Sequence, residues 1–282
     1  MTAEDRLRAG DVPAALHELQ QLVRREPAVA KHRIFLFQLL AILGQWDRAR
    51  TQLHVLKDMD ATAIPMVKTY LEALRCEVLR AGVWRGEHTP LVFGQPEPWM
   101  AGMVQALALS ATGKVEQAQE MRAAALEQAT AFSGTVEWGR PVAGGAAESP
   151  AESVERASFG WLADADPRLG PVLEAIVNGK YYWAPWSAVG ELTIEAPTDL
   201  RDFVWVPAQI RWRNGGEVVA LLPSRYPTSE SSTDGALQLC RRTEWLDAGH
   251  GEYRGLGQKL LASEAGEWGL LDVRKVVMNA TA

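Results

Sequence analysis

Ala9-Gly10-Asp11-Val12-Pro13-Ala14-Ala15-Leu16 decides how the N-terminal half is read; apolar Leu19 and Leu22 follow it, and then Glu26-Pro27. Gly10 marks a tight turn between two antiparallel helices, because glycine tolerates the backbone angles that such a turn needs. Ala15 keeps the helix crossing close, Leu19 and Leu22 face the partner helix, and Pro27 cannot continue the second helix. The pattern returns 34 residues later at Gly44, with Trp46, Ala49, Leu53 and Leu56 after it and an end near Asp60. A third copy begins at Gly113, 69 residues beyond Gly44, with Ala118 and Ala125 in the small-residue positions.

A period of about 34 residues is that of a tetratricopeptide repeat, in which each two-helix unit buries its apolar stripe only against its neighbours. Residues 1–132 are therefore expected to form a tetratricopeptide-like domain of helical hairpins. Thr69 to Gly82 reads as a further helix, with Tyr70, Leu71, Leu74, Val78 and Leu79 at helical spacing. From Val83 to Pro98 the glycines and prolines interrupt the regular repeat. Trp99 to Ala111 and Val115 to Phe132 then make a final hairpin. Stacked hairpins predict an apolar trough that accepts an extended or helical peptide of another protein. The alternative is a scaffold packed against the second half of the chain.

Residues 133–157 change composition to Gly, Ala, Pro, Ser and Glu, as in Pro141-Val142-Ala143-Gly144-Gly145-Ala146-Ala147. So little apolar surface predicts a flexible linker or surface loop. Residues 158–282 carry seven of the eleven tryptophans, Trp161, Trp183, Trp186, Trp205, Trp212, Trp245 and Trp268, and read as a smaller Trp-rich domain with short antiparallel strands. Alternation in Gln209-Ile210-Arg211-Trp212-Arg213, the turn residues Asn214-Gly215-Gly216, and Glu217 to Leu222 predict a hairpin. Asp166-Pro167 predicts the start of a helix running through Leu173 and Ile176 to a cap at Asn178-Gly179. Without a βαβ rhythm, the expected class is α+β and not a doubly wound sheet.

The bulk properties narrow the function. With 29 Lys and Arg against 35 Asp and Glu, the 282-residue chain carries a formal charge of −6. No basic stripe offsets it, so nucleic acid is not an expected partner. The N-terminus has no apolar signal segment and no apolar run reaches the ~18 residues of a membrane span; a cytoplasmic protein without membrane insertion is expected. Cys76 and Cys240 lie in apolar stretches with no ligand or pairing spacing, and read as buried free thiols.

Known catalytic signatures fail residue by residue. His17-Glu18 has no second histidine at metalloprotease spacing, Thr112-Gly113-Lys114 lacks the upstream glycine of a phosphate loop, and Gly255-Leu256-Gly257 lacks a third glycine. Asp164 and Asp166, with Arg168 beside them, are the strongest remaining candidates for metal or acid–base chemistry, although such pairs more often cap a turn and bind an arginine. Arg201 and Asp202, and Arg225 with Tyr226, interleave charge with Trp183, Trp186 and Trp205. Together with Trp46 and Trp84 they are candidate partner-binding residues, since Trp, Tyr and Arg dominate interface energetics. No catalytic residue, metal or cofactor is assigned.

Several of these stretches resemble one family. Trp161-Leu162-Ala163-Asp164-Ala165-Asp166-Pro167-Arg168-Leu169-Gly170-Pro171-Val172-Leu173-Glu174 and Gly179-Lys180-Tyr181-Tyr182-Trp183-Ala184-Pro185-Trp186 are similar to the signature of the ImpE family, also called TagJ or SciE-type proteins. Pro197 to Trp205, Pro223-Ser224-Arg225-Tyr226-Pro227 and Thr243-Glu244-Trp245 add to the likeness, which extends over almost the whole chain. The resemblance implies a cytoplasmic, non-enzymatic accessory protein of a bacterial type VI secretion system. Its implied partner is a peptide segment of the small subunit of the contractile sheath, with an influence on sheath assembly or on recycling by the sheath-disassembling unfoldase. The other implied role is a general scaffold for another secretion component, the baseplate or the unfoldase. Gly139 to Glu155 departs from the family pattern and reads as a local insertion.

Overall fold

The computed structural model describes residues 2–141 and 152–279. Among them the helices α1 (Ala3–Arg8), α2 (Val12–Arg25), α3 (Ala30–Ile42), α4 (Trp46–Met59) and α5 (Ile64–Trp84) come first. A two-residue strand β1 (Leu91–Val92) separates them from α6 (Pro98–Ala111) and α7 (Val115–Gln128). The strands β2 (Gly134–Pro141), β3 (Glu152–Phe159), β4 (Ala163–Asp164), β5 (Val172–Val177), β6 (Lys180–Pro185), β7 (Val189–Ile194), β8 (Trp205–Trp212) and β9 (Glu217–Pro223) follow. A short helix α8 (Gly235–Gln238) precedes β10 (Thr243–Asp247), β11 (Tyr253–Gly257), β12 (Leu260–Ser263), β13 (Gly266–Gly269) and β14 (Val273–Met278). Helices and sheets are thus segregated along the chain, consistent with an α+β class.

The helical hairpins turn where glycine permits it. Gly10, Gly44 and Gly113 have φ of 80°, 64° and 79°, the left-handed region that a Cβ disfavours. Ala15, Ala49 and Ala118, five residues past each turn, are fully buried at the helix crossings. The Asp11 carboxylate accepts from the Ala14 amide at 3.0 Å, which caps α2. In α5 the buried face is rotated from the expected one. Tyr70, Ala73, Glu77, Arg80 and Trp84 point inward, whereas Val78 is 58% exposed. No helix among the described residues is long and apolar enough to cross a membrane.

Nine strands form the main sheet in the order β1-β6-β5-β9-β8-β7-β14-β2-β3. Its neighbours pair antiparallel except β1, which runs parallel to β6 with Leu91 opposite Tyr182. Side chains alternate between the two faces, as a strand requires. Val172, Ile176, Tyr181, Trp183, Trp205 and Leu221 join the helices in one core. Leu173, Ala175, Val177, Ala184, Val206 and Leu222 point the other way into a second core, shared with Leu261 of β12 and Trp268 of β13.

Three expectations are corrected here. Residues 172–177 are a strand and not part of a helix: all six are buried because both sheet faces are covered. An apolar run of this length fits a helix or a two-faced strand equally well by periodicity. Asn178 and Gly179, with φ of 48° and 69°, are the two-residue turn to β6 and not a helix cap. The expected linker at residues 133–157 contains most of the β2–β3 hairpin, paired from Gly134–Phe159 to Pro141–Glu152; residues 142–151 lie outside the described residues. An edge hairpin needs only one apolar face, and alternate Val136 and Trp138 supply it, the latter 5.5 Å from the Trp268 ring. The trough of the helical layer, expected to be open, is filled by Trp183, Trp205 and their neighbours from the sheet.

The N-terminal turn is held against α8. Arg241 donates to the carbonyls of Leu7 and Arg8 at 2.6 and 3.0 Å. A Cβ on Gly235 would lie 1.9 Å from the Gly10 carbonyl oxygen. Gly235→Ala must therefore push two backbones apart and is expected to lower unfolding free energy by about 1–3 kcal/mol. Gly113→Ala meets nothing within 4 Å and should cost about 1–2 kcal/mol, from its backbone angle alone. Urea unfolding of the two variants checks the order.

Candidate functional site

Between the helical layer and the sheet runs a chain of buried charges. It starts on α5, where Glu77 and Arg80 occupy positions in the inward stripe that apolar residues would ordinarily fill. The Arg80 guanidinium donates from Nε to Glu174 Oε1 at 2.7 Å and from Nη2 to Glu174 Oε2 at 3.0 Å. It also reaches the Arg225 carbonyl at 3.0 Å and Glu77 at 3.4 Å. Glu174, on β5, further accepts from the Trp84 indole at 3.0 Å and from the Tyr181 hydroxyl, and faces the Lys259 ammonium at 2.8 Å. Lys259 turns its remaining contact to Asp164, 2.7 Å away.

From Asp164 the network continues into the turn that precedes β5. Asp164 Oδ1 accepts from the Tyr226 hydroxyl at 3.0 Å and from the Asp166 amide at 2.9 Å. Asp166 accepts from the Arg168 amide at 3.0 Å and Nε at 2.9 Å, and the Arg168 guanidinium lies 4.6 Å from the centre of the Trp84 ring. Asp166 therefore shapes a turn instead of capping a helix. At the other end Glu77 accepts from the Trp205 indole at 3.0 Å, and Trp205 packs on Trp46 and Tyr70 with ring centres 6.1 and 5.8 Å apart. Arg225 donates to the Ala41 and Ile42 carbonyls at 3.0 and 2.6 Å at the C-terminal end of α3, where helix carbonyls run out of intrahelical donors; the Ala41 carbonyl also accepts from the Gly44 amide at 3.1 Å.

The sequence candidates therefore meet unevenly. Trp84, Asp164, Asp166, Arg168, Arg225 and Tyr226 belong to this one network, and Trp183 joins it by donating to the Tyr181 hydroxyl at 2.8 Å. Trp46, Trp84 and Arg168 also line a cleft of about 560 Å3 on the rim of the seam, with Arg85, Glu87, Glu230, Leu246 and Arg254 around its mouth. Arg201 stands 4.9 Å from the Tyr70 ring, and Asp202 folds its carboxylate onto the Thr198 and Asp199 amides at 2.9 Å. Trp186 lies across the sheet, in the second core. Sequence reasoning missed Glu77, Arg80 and Lys259, and named Glu174 only within the family-like stretch, not as a site residue. The available signal was the pair of charges at the i, i+3, i+4 positions of α5 whose other members are Tyr70, Ala73 and Trp84.

Burial sets the electrostatics, and the partners decide its outcome. Burial opposes ionisation of Glu174, but the Arg80 guanidinium and the Lys259 ammonium outweigh it and hold its carboxyl well below the usual carboxylate range. At Glu77 and Asp164 burial wins and raises the carboxyl, against the pull of Arg80 and Lys259 respectively. The buried thiols are raised by the same cause, Cys76 to about 11 and Cys240 to about 12. No group of three or more His, Cys, Asp or Glu side chains with metal-holding geometry occurs among the described residues.

Because the folded pKa of Glu174 lies below its unfolded value, its contribution to stability is present at neutral pH and is lost as acid protonates it. The expected acid limb falls between about pH 5 and pH 1. Glu77 and Asp164 shift the opposite way, so their protonation offsets part of that loss. Glu174→Gln removes the carboxylate that Arg80 and Lys259 share, leaving them only Glu77 and Asp164, and should cost about 3–5 kcal/mol at pH 7. It should also flatten the acid limb in urea melts taken across that range.

Known proteins place this arrangement. The ImpE protein family model matches residues 156–277. A Pseudomonas aeruginosa (strain PAO1) protein described as type VI secretion system accessory component TagJ is 48% identical over 281 residues, covering 100% of this chain and 92% of the relative. The X-ray crystal structure of protein VPA1032 from Vibrio parahaemolyticus matches with a TM-score of 0.83 at 23% identity, over 99% of this chain and 98% of that one, and so shares the fold. The Pseudomonas match runs through the helices as well as through the charged seam and the sheet, and on that basis the chain belongs to the ImpE family.

Proposed function

We propose that this protein is a non-enzymatic accessory component of a bacterial type VI secretion system, working in the cytoplasm. It binds a peptide segment of the small contractile-sheath subunit and modulates sheath assembly or recycling. The observation that carries the reading is the 48% identity, over the whole chain, to a protein described as an accessory component of that system. In this reading the helical hairpins are tetratricopeptide-like units whose inner face serves the protein's own tryptophan-rich half, so the partner is met elsewhere on the surface.

The chemistry of the seam supports an interaction role over catalysis. Asp164 and Asp166, the strongest sequence candidates for acid–base or metal work, already accept from Lys259, Tyr226 and Arg168. A carboxylate held by two or three protein donors is a structural anchor before it is a base. The neighbouring phenol of Tyr226 is raised by burial and by Asp164, which keeps it a neutral donor.

Immobilised full-length protein is expected to retain purified small sheath subunit and to lose it when the N-terminal segment of that subunit is deleted. Retention of neither form removes the peptide reading. Retention of baseplate components or of the unfoldase in its place would favour a general scaffold.

A further inference from the structure

The end of α7, the start of α6 and the segment before β5 enclose a second cleft of about 360 Å3. Its walls are apolar, with Trp99, Leu126, Phe132, Trp161 and Pro171 among them, and the volume falls in the roughly 300–1,000 Å3 range of ligand sites. Trp161 is 42% exposed, an unusual position for the largest apolar side chain unless something covers it. Two polar groups in the lining lack a full complement of partners. Glu97 accepts from the Trp99 indole at 2.7 Å and from the Ser187 hydroxyl, yet has no cation within ion-pair distance among the described residues. Trp186 is 2% exposed, and its indole N–H has no acceptor among the described residues. Among the described residues the one other charged group in the lining, Asp164, is paired with Lys259. Among the described residues, the cleft is therefore apolar with a net negative edge and carries no lysine or arginine of its own.

We infer that this cleft is the docking site for a short amphipathic segment of a partner protein, which sets bulky apolar side chains against Trp99, Phe132 and Trp161 and a lysine or arginine against Glu97. Charge complementarity selects the basic residue, because an acidic one would face Glu97 in a partly dehydrated setting. Exposed tryptophan supplies contact area at small entropic cost, which is why it recurs at the centre of binding sites. The identity of the guest as the sheath segment rests on the function proposed above; the location and chemistry of the site do not.

Titrations of the intact chain with purified small sheath subunit test the inference, using Trp161→Ala, Glu97→Gln, and Leu246→Ala in the other cleft as a control. Trp161→Ala is expected to weaken binding by about tenfold or more. Glu97→Gln should weaken it by about two- to fivefold and reduce its salt sensitivity, and Leu246→Ala should leave it unchanged. Thermal melts of each variant confirm that the fold is kept. In parallel, a display library of random short peptides is panned on the wild-type chain. Equal sheath binding by wild type, Trp161→Ala and Glu97→Gln overturns the site and leaves the partner standing. No sheath binding, with selected peptides that combine bulky apolar and basic residues and are lost on Trp161→Ala, removes the partner and supports the site. Failure of both probes overturns the inference and the partner together.

Discussion

One guanidinium, that of Arg80, ties the two layers of this protein together. Taking an arginine out of water costs several kcal/mol unless each face of its fork finds an acceptor. Here Glu174 takes two of its bonds from the sheet, Glu77 takes one from its own helix, and the Arg225 carbonyl takes a fourth from the segment after β9. Each of those acceptors comes at a fixed angle, so the network defines not only that helix and sheet meet but in what register they do. Apolar packing of Tyr70, Trp205 and Trp46 around it supplies the bulk of the burial; by itself that packing would tolerate sliding. The polar chain through Lys259 and Asp164 then extends the same constraint to the turn at Asp166 and to β12 beyond it.

Much of this was readable one segment at a time, and the rest only across the chain. The turns at Gly10, Gly44 and Gly113 are local events and stood out because a positive φ asks for glycine wherever it occurs. The β8–β9 hairpin was equally plain, since Asn214-Gly215 sits between two alternating runs. Val172 to Val177 was misread because its surroundings, and not its own pattern, make it a strand. The buried seam was invisible for a different reason: Arg80 meets Glu174 94 residues away, and no spacing rule joins them. What the sequence did offer was a pair of charges in the inward stripe of α5, a local contradiction of the kind that marks either a functional site or an interlayer joint. Cys76 and Cys240 are free and buried as their apolar settings suggested.

The seam also decides which face of the helical layer is closed. Trp183, Trp205 and Tyr181 cover the inner face of the helices from within the chain. The open apolar surface lies instead at the end of the helical layer, where α7 hands the chain to the sheet and Trp161 is left uncovered.

Strand β1 has a practical consequence for dissecting this molecule. Leu91 and Val92 leave the helical layer between α5 and α6, pair with Tyr182 and Trp183, and return. A shortened polypeptide ending at the last helix would keep Leu91 and Val92 but lose the strand they pair with, while the tryptophans that fill its inner face would be missing. The complementary fragment would expose Trp183 and Trp205 and leave Glu174 without its arginine. Two-hybrid or affinity screens run on such halves would report adhesion of bared interior instead of genuine recognition, so contacts of this protein are better charted by single-residue changes in the unbroken chain.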